Sequence, residues 1–333
     1  MDIMDFFSGV SGDESVLSNR FFEFPHKDTN STSDLNNFDL IFMSANIPFA
    51  TQVRSSLQLL SNHFPNIRSF DCGRTLNNDH RFICQPVQYC AEQNIPGFFL
   101  GGNVDLVHML ASQQKRKVTF VSNTLPPSDQ ISEQHTFLSY QRHLCEYKSL
   151  KYVEEFCPDS LSLGQMKSHP HLIEPILRDT EILYIHLNAL RSAEIPGLSS
   201  AWPSGLNTEE LCQISKYAGH SLQLKTIIID CGDIAEQTFE LGSKLVAELY
   251  WYLMEGLKMK QSDHPGLNTN ISEYVVNMAE FDTELVFVKS NISQRWWLKL
   301  EENDTNPFLS CAQEEYQQSI RSEVPERLLR HIF

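Results

Sequence analysis

The chain has 333 residues, with 26 Lys and Arg against 42 Asp and Glu, a formal net charge of −16 at pH 7 and a pI near 5.1. An acidic balance of this size excludes binding to a nucleic-acid backbone and docking on an anionic membrane, both of which need a basic footprint. Apolar residues make up 41% and aromatic residues 11%, which supplies a large core and excludes disorder for most of the chain.

No stretch reaches the roughly 18 consecutive apolar residues that a membrane span requires. Met1 to Val10 carries Asp2 and Asp5 and no positive charge, unlike a secretory signal. The eight cysteines (Cys72, Cys84, Cys90, Cys145, Cys157, Cys212, Cys231 and Cys311) form no C-x-x-C pair. Scattered cysteines in a large chain argue against a zinc ribbon or a secreted disulfide framework. Reduced thiols in a cytoplasmic protein are expected.

In chain order, Phe21–Phe24 is an aromatic segment suited to packing on the main body or on a partner. His26 to Asn37 is rich in Asn, Ser, Thr and Asp and reads as a polar linker. Residues 1–38 are therefore read as an N-terminal extension and linker, and residues 39–333 as a single α/β domain. From Asp39 onward short apolar runs alternate with helical patterns, which argues for βαβ units and a parallel sheet. The strands expected are Leu40–Met43, Gly97–Leu100, Val118–Ser122, Ile182–Leu187, Thr226–Asp230 and Glu284–Val288. Most are continuously apolar, as strands covered on both faces are. One helix is expected over Glu236–Lys260, because Leu245, Leu249, Tyr252, Leu253 and Leu257 recur at three- and four-residue spacing. Another starts near Asn207, with Glu210 as a capping-box partner, and runs to Gly219. The architecture expected is a doubly wound α/β domain, whose sites lie at the carboxyl ends of the strands.

Three strand ends carry candidate chemistry. Gly101-Gly102-Asn103-Val104-Asp105 follows Phe98-Phe99-Leu100, and two glycines allow a tight turn into a helix. His186 and Asn188 close the strand from Ile182; strand alternation would point both to one face. Asp230, followed by Cys231, Gly232 and Asp233, closes the strand from Thr226. A helix N-terminus just beyond Cys231 would lower its thiol pKa, but no histidine is placed to activate it, so it reads as structural. Arg295-Trp296-Trp297 reads as a core anchor on a strand, with one indole on each face.

The ordered set of segments resembles a known superfamily. Gly101-Gly102 comes first, then Glu174-Pro175-Ile176-Leu177-Arg178-Asp179 before the His186 strand. Ala189 to Gly197 and Glu209 to Gly219 follow, with Trp251-Tyr252, Lys289-Ser290 and Gln294-Arg295-Trp296-Trp297 late in the chain. Together they resemble the arginase/agmatinase/formimidoylglutamase (ureohydrolase) superfamily, a divergent formimidoylglutamase-like branch above all. The resemblance covers about residues 174–330 best, 39–173 less well, and nothing before 39.

That resemblance implies a three-layer α/β/α fold with a mainly parallel sheet. It also implies, in active members, two Mn²⁺ ions bridging a hydroxide that attacks a guanidino or formimino carbon. Carried over by position, the family's ligands fall on Val104, on Ser122, Thr124 and Pro126, and on His186 and Asn188, while its site glutamate falls on Asp230. None of the six ligand positions keeps the family residue. His186 alone is a good ligand of another type, and one imidazole cannot replace the carboxylates that offset repulsion between two dications.

The expectation is a non-catalytic protein of this fold, without a cofactor, that binds a small guanidino- or amidine-like ligand or assembles as a homo-oligomer. The alternative is an active hydrolase of linear C–N amidine or guanidino bonds with a rearranged site, in which His186, Asp230, Asp233 and Asp105 supply a mononuclear manganese site or a metal-free acid/base pair. His169 and His171 are further raw material, although a solvated loop accounts for them. No catalytic residue is assigned with either reading.

Overall fold

A computed structural model of the chain describes residues 3–8, 35, 37–112, 116–278, 283–300 and 307–332. Phe21–Phe24 lies outside the described residues, as does the polar run after it up to residue 34. The strands of the main sheet are β1 (Phe7–Ser8), β2 (Leu40–Ser44), β3 (Ser69–Thr75), β4 (Gly97–Leu100), β5 (Val118–Val121), β6 (His135–Tyr140), β7 (Leu161–Ser162), β8 (Ile182–His186) and β9 (Thr226–Asp230). They pair in the order β1-β3-β2-β4-β9-β8-β5-β6-β7. All pairs are parallel except β1 with β3, where Phe7 lies opposite Thr75.

Strand alternation explains why three layers form. Phe98, Leu100, Leu183, Ile185, Ile227 and Ile229 point into one core cluster, and Phe99, Ile182, Tyr184 and Ile228 into a second on the opposite face. The first face is covered mainly by the helices Pro48–Leu57, Thr208–Gly219 and Phe239–Lys258. The second is covered by His80–Glu92, Val104–Ser112 and Tyr147–Phe156. The expected α/β class with its mainly parallel sheet is what the chain adopts. Ile3, Phe6 and Phe7 are buried in the second cluster.

The helix at Asn207 forms as read. Asn207 accepts from the Glu210 amide at 2.7 Å and Glu210 accepts from the Asn207 amide at 2.8 Å. The expected helix Glu236–Lys260 is a 3₁₀ turn, Glu236–Thr238, followed by an α-helix, Phe239–Lys258. One strand is placed differently. The run Glu284–Val288 belongs to β11 (Thr283–Ser290) in a separate antiparallel sheet with β10 (Ile271–Met278), β12 (Trp296–Lys299) and β13 (Phe308–Cys311). An apolar run of five residues carries no record of its partner's direction.

That second sheet docks through buried polar contacts rather than by extending the first. Trp297 is 1% exposed and faces Arg178, whereas Trp296 stacks on Tyr316 of the helix Gln313–Ile320 with ring centroids 4.4 Å apart. The core-anchor reading of the two indoles therefore holds, one on each face. All eight cysteines are unpaired and seven are buried. No helix among the described residues is long and apolar enough to cross a membrane.

Candidate functional site

The carboxyl ends of β4, β9, β8 and β5 are neighbours at the middle of the sheet. Parallel strands bring their carboxyl ends to one edge, which is why residues far apart in sequence meet there. His186 and Asp230 are register partners on adjacent strands.

The β4 turn is built for close packing. Gly101 has φ 91°, and a Cβ there would meet Ile47 Cδ1 at 2.8 Å. A Cβ on Gly102 would lie 2.5 Å from Ile228 Cγ2. Val104 opens the following helix and packs its side chain against the apolar cluster. This turn presents glycine backbone and an aliphatic side chain, and no ligating atom apart from carbonyls.

His186 and Asn188 do not share a strand face. The strand stops at His186, and Leu187–Ala189 is a 3₁₀ turn that folds Asn188 back. The Asn188 amide N–H donates to His186 Nδ1 at 3.0 Å. An accepting Nδ1 carries no proton, so in the neutral ring the proton sits on Nε2. Burial holds the imidazole below its usual range, with Asp230 and Asp233 opposing it more weakly. His186 therefore presents an N–H donor at Nε2 and has no lone pair left at Nδ1. Gly232, at φ 54°, packs against this ring, where a Cβ would lie 3.1 Å from Cε1.

Asn188 is 6% exposed. Its Oδ1 accepts from the Ser122 hydroxyl at 3.1 Å and from the Asn123 amide at 3.3 Å. An amide oxygen has two lone pairs, and both are engaged. Thr124 is exposed beyond this contact and Pro126 is half-buried. Asn123, buried beneath them, donates from Nδ2 to the Ser200 carbonyl at 3.0 Å.

Asp230 accepts from the Tyr184 hydroxyl at 2.6 Å and from the Gly232 amide at 2.8 Å. Burial and the Asp230 charge push the Tyr184 phenol far up, so it stays a donor. Asp233 is exposed and accepts from the Ser199 hydroxyl, which holds its carboxyl below the usual range. Cys231 is 5% exposed, and burial and the Asp230 charge push its thiol up, while the following α-helix begins only at Phe239. The expected lowering of the thiol by a helix terminus is not found.

Asp105 makes no hydrogen bond to this group, although its charge adds to that of Asp230 in raising the Tyr184 phenol. It lines a cleft of about 820 Å³ with His108, Arg116 and His135, on the flank of the helix Val104–Ser112. His169 and His171 sit at a 3₁₀ turn, their rings 5.9 Å apart and His169 exposed, as the solvated-loop reading has it. Among the described residues no three His, Cys, Asp or Glu side chains converge closely enough to hold a metal ion. Tyr184 and Asn123 carry no signal in the sequence, because their roles depend on which strands lie side by side. Chemically, the strand ends form a hydrogen-bonded polar floor whose donors and acceptors mostly satisfy one another.

Comparison with solved structures finds this fold in known proteins. A Trypanosoma cruzi formiminoglutamase, oxidised and with Mn²⁺ at pH 6.0, matches with a TM-score of 0.60 and 13% identity, over 74% of this chain and 98% of that one. An arginase-superfamily protein from the same organism matches with a TM-score of 0.58 at 13% identity, over 74% and 98% of the two chains. The formimidoylglutamase of Bacillus subtilis matches with a TM-score of 0.54 at 13% identity, over 78% and 92%. No known family's sequence profile matches the chain, and no curated protein matches it.

Proposed function

From the arginase and formimidoylglutamase-like fold that this chain has, we propose that it is a non-catalytic protein of that architecture, retained for binding or assembly. The observation that carries this reading is the Asn188 N–H to His186 Nδ1 bond. A dimanganese centre needs anionic oxygens and imidazole nitrogens with free lone pairs. His186 offers a protonated Nε2 and a Nδ1 already in use. Asn188 has both amide lone pairs engaged, and Val104, Ser122, Thr124 and Pro126 bring no anionic or imidazole ligand. The residues present do not fit two manganese ions, and no hydrolytic step is derived through them. Asp230 and the exposed Asp233 leave negative charge at the strand ends, which suits a cationic guanidino or amidine ligand.

The test is the metal content of the purified protein after incubation with Mn²⁺ and desalting, paired with assays on arginine, agmatine and formimidoylglutamate. Manganese far below one ion per chain and no urea, formamide or ammonia above the protein-free control are expected. Close to two ions per chain with product release would overturn the proposal in favour of an active hydrolase with a rearranged site.

A further inference from the structure

Half-way along the helix Phe239–Lys258, three residues share one face. Glu248, Trp251 and Tyr252 are spaced i, i+3 and i+4, which stacks their side chains together. They line a cleft of about 330 Å³ with Leu60, Ser61 and His63 from the loop after the helix Pro48–Leu57. The Trp251 indole is fixed, because its Nε1 donates to the Ser61 carbonyl at 2.8 Å and its ring packs on Phe64 with centroids 4.9 Å apart. Tyr252 stands at 74° to it at 5.2 Å, and the exposed His63 at 75° and 6.0 Å.

No cation among the described residues bonds the carboxylate of this cleft: Lys216, whose charge reaches Tyr252, is paired with Glu255, and Lys258 lies over the Phe64 ring. Glu248 is half-buried and has no hydrogen bond or ion pair among the described residues. Burial raises its carboxyl, and the neighbouring Glu209 raises it further. A half-buried carboxylate beside rigid, mutually perpendicular rings is short of a cation. The ring faces carry the negative side of the aromatic quadrupole, so a diffuse, weakly hydrated cation suits them better than a metal ion.

We propose that the cleft formed by His63, Glu248, Trp251 and Tyr252 binds an alkylated ammonium group, its charge paired with Glu248 and its methyl groups against the rings. Such a group comes either from a free quaternary amine or from a methylated lysine side chain on a protein partner.

The probe is tetramethylammonium, titrated into the intact protein and followed by calorimetry and by the Trp251 indole N–H signal in NMR. The neutral isostere tert-butanol serves as the control. Saturable binding in the millimolar range that tert-butanol does not reproduce is expected. Glu248→Gln should weaken it at least fivefold and Tyr252→Leu at least threefold. Glu248 supports no bond in the fold, so E248Q should unfold at the same temperature as the parent chain or higher, which separates lost binding from lost structure. No saturation, equal binding of tert-butanol, or an unchanged affinity in E248Q would each overturn the proposal. Choline and a trimethyl-lysine peptide, compared with its unmodified form, distinguish the two sources. A peptide at least tenfold tighter than choline identifies a protein partner, and equal affinities identify a free amine.

Discussion

The Arg178 guanidinium lies over the Trp297 indole, 4.7 Å from the ring centroid, and its Nη1 donates to the Trp296 carbonyl at 3.0 Å. Arg178 is 7% exposed and also forks onto Glu174, whose other cation is Arg295 at 3.2 Å. One side chain from the parallel sheet's helices thus pairs a half-buried carboxylate, stacks on an indole and binds the backbone of the second sheet. Arg178→Met would leave Glu174 with Arg295 alone and remove both contacts to β12. Removing one partner from a fully buried pair costs about 3–5 kcal/mol, and the half-buried Glu174, still held by Arg295, lowers the figure here to roughly 2–3 kcal/mol. R178M should lose stability of that order in urea unfolding. R178K, which keeps the charge but not the planar fork, should fall between it and the parent chain. Equal stability of R178M and the parent would remove this contact as the anchor of the second sheet.

Asn188 is the buried acceptor of the strand-end network. Asn188→Ala strands the Asn123 amide and the Ser122 hydroxyl, and a buried donor left unpaired costs about 1–3 kcal/mol. Ser122→Ala removes one hydroxyl from a half-buried position and leaves Asn188 bonded to the Asn123 amide, so its cost should stay under about 1 kcal/mol. Thermal unfolding of both variants tests the order. S122A less stable than N188A would mean that the network is not organised around the amide.

How far the sequence carries such conclusions depends on what holds each element. The central strands are legible because Leu40–Met43, Phe98–Leu100 and Ile227–Ile229 are continuous apolar runs, and only a doubly covered sheet buries such runs. β3 is not legible. Asp71 and Arg74 interrupt it, and the carboxylate is tolerated in the core only because Arg54, from another element, pairs with it at 2.7 Å. β6 fails for the same reason, since Ser139 finds its partner at the Ser122 carbonyl on the next strand. At the site, the neighbouring positions of His186 and Asp230 follow from strand ends alone. The direction of Asn188 does not, because a 3₁₀ turn replaces strand alternation one residue earlier than expected. The Tyr184–Asp230 bond requires knowing that β8 and β9 are adjacent, and they lie some forty residues apart in the sequence.

The helices Thr208–Gly219 and Phe239–Lys258 cross where glycine meets glycine. A Cβ on Gly256 would lie 2.1 Å from the Lys216 carbonyl oxygen and 2.9 Å from Gly219 Cα. Neither neighbour is the end of a flexible side chain, so the helices must separate to admit a methyl group. Gly256→Ala, which in a free helix would gain about 1 kcal/mol, should instead destabilise the fold by roughly 1–3 kcal/mol through overpacking. The reversal of sign, read in chemical denaturation, is the test. Stabilisation by G256A would show that the two helices cross with room for a methyl group.

Acid should weaken the fold before most carboxylates titrate. His135 and His220 are 6% and 8% exposed, and burial holds each imidazole down at about 4. For His135 the neighbouring His108 adds to the effect of burial, and for His220 Arg295 does. An unfolded histidine titrates near 6.5. Between pH 6.5 and 4 the unfolded chain therefore binds protons that the folded chain refuses, and stability rises with pH. The contribution is fully present above pH 6.5 and is lost as the pH falls towards 4, reaching roughly 3 kcal/mol for each group at 1.36 kcal/mol per unit. His108, His186 and His264 are lowered too and act in the same direction. Asp159 and Glu174, held below the usual carboxylate range by Arg327 and Arg178, lose their contributions only at lower pH. The window between 4.5 and 6.5 thus reports mainly the histidines, with Glu248, raised by burial and by Glu209, acting in the opposite direction. Neither nitrogen of His220 makes a hydrogen bond, so His220→Leu removes a titrating group without breaking one and keeps an apolar side chain against the Tyr217 ring. H220L should reduce the slope of stability against pH in that window by up to about 1.4 kcal/mol per pH unit, one proton's worth. An unchanged slope in H220L would mean that His220 binds its proton equally well in the folded and unfolded chain.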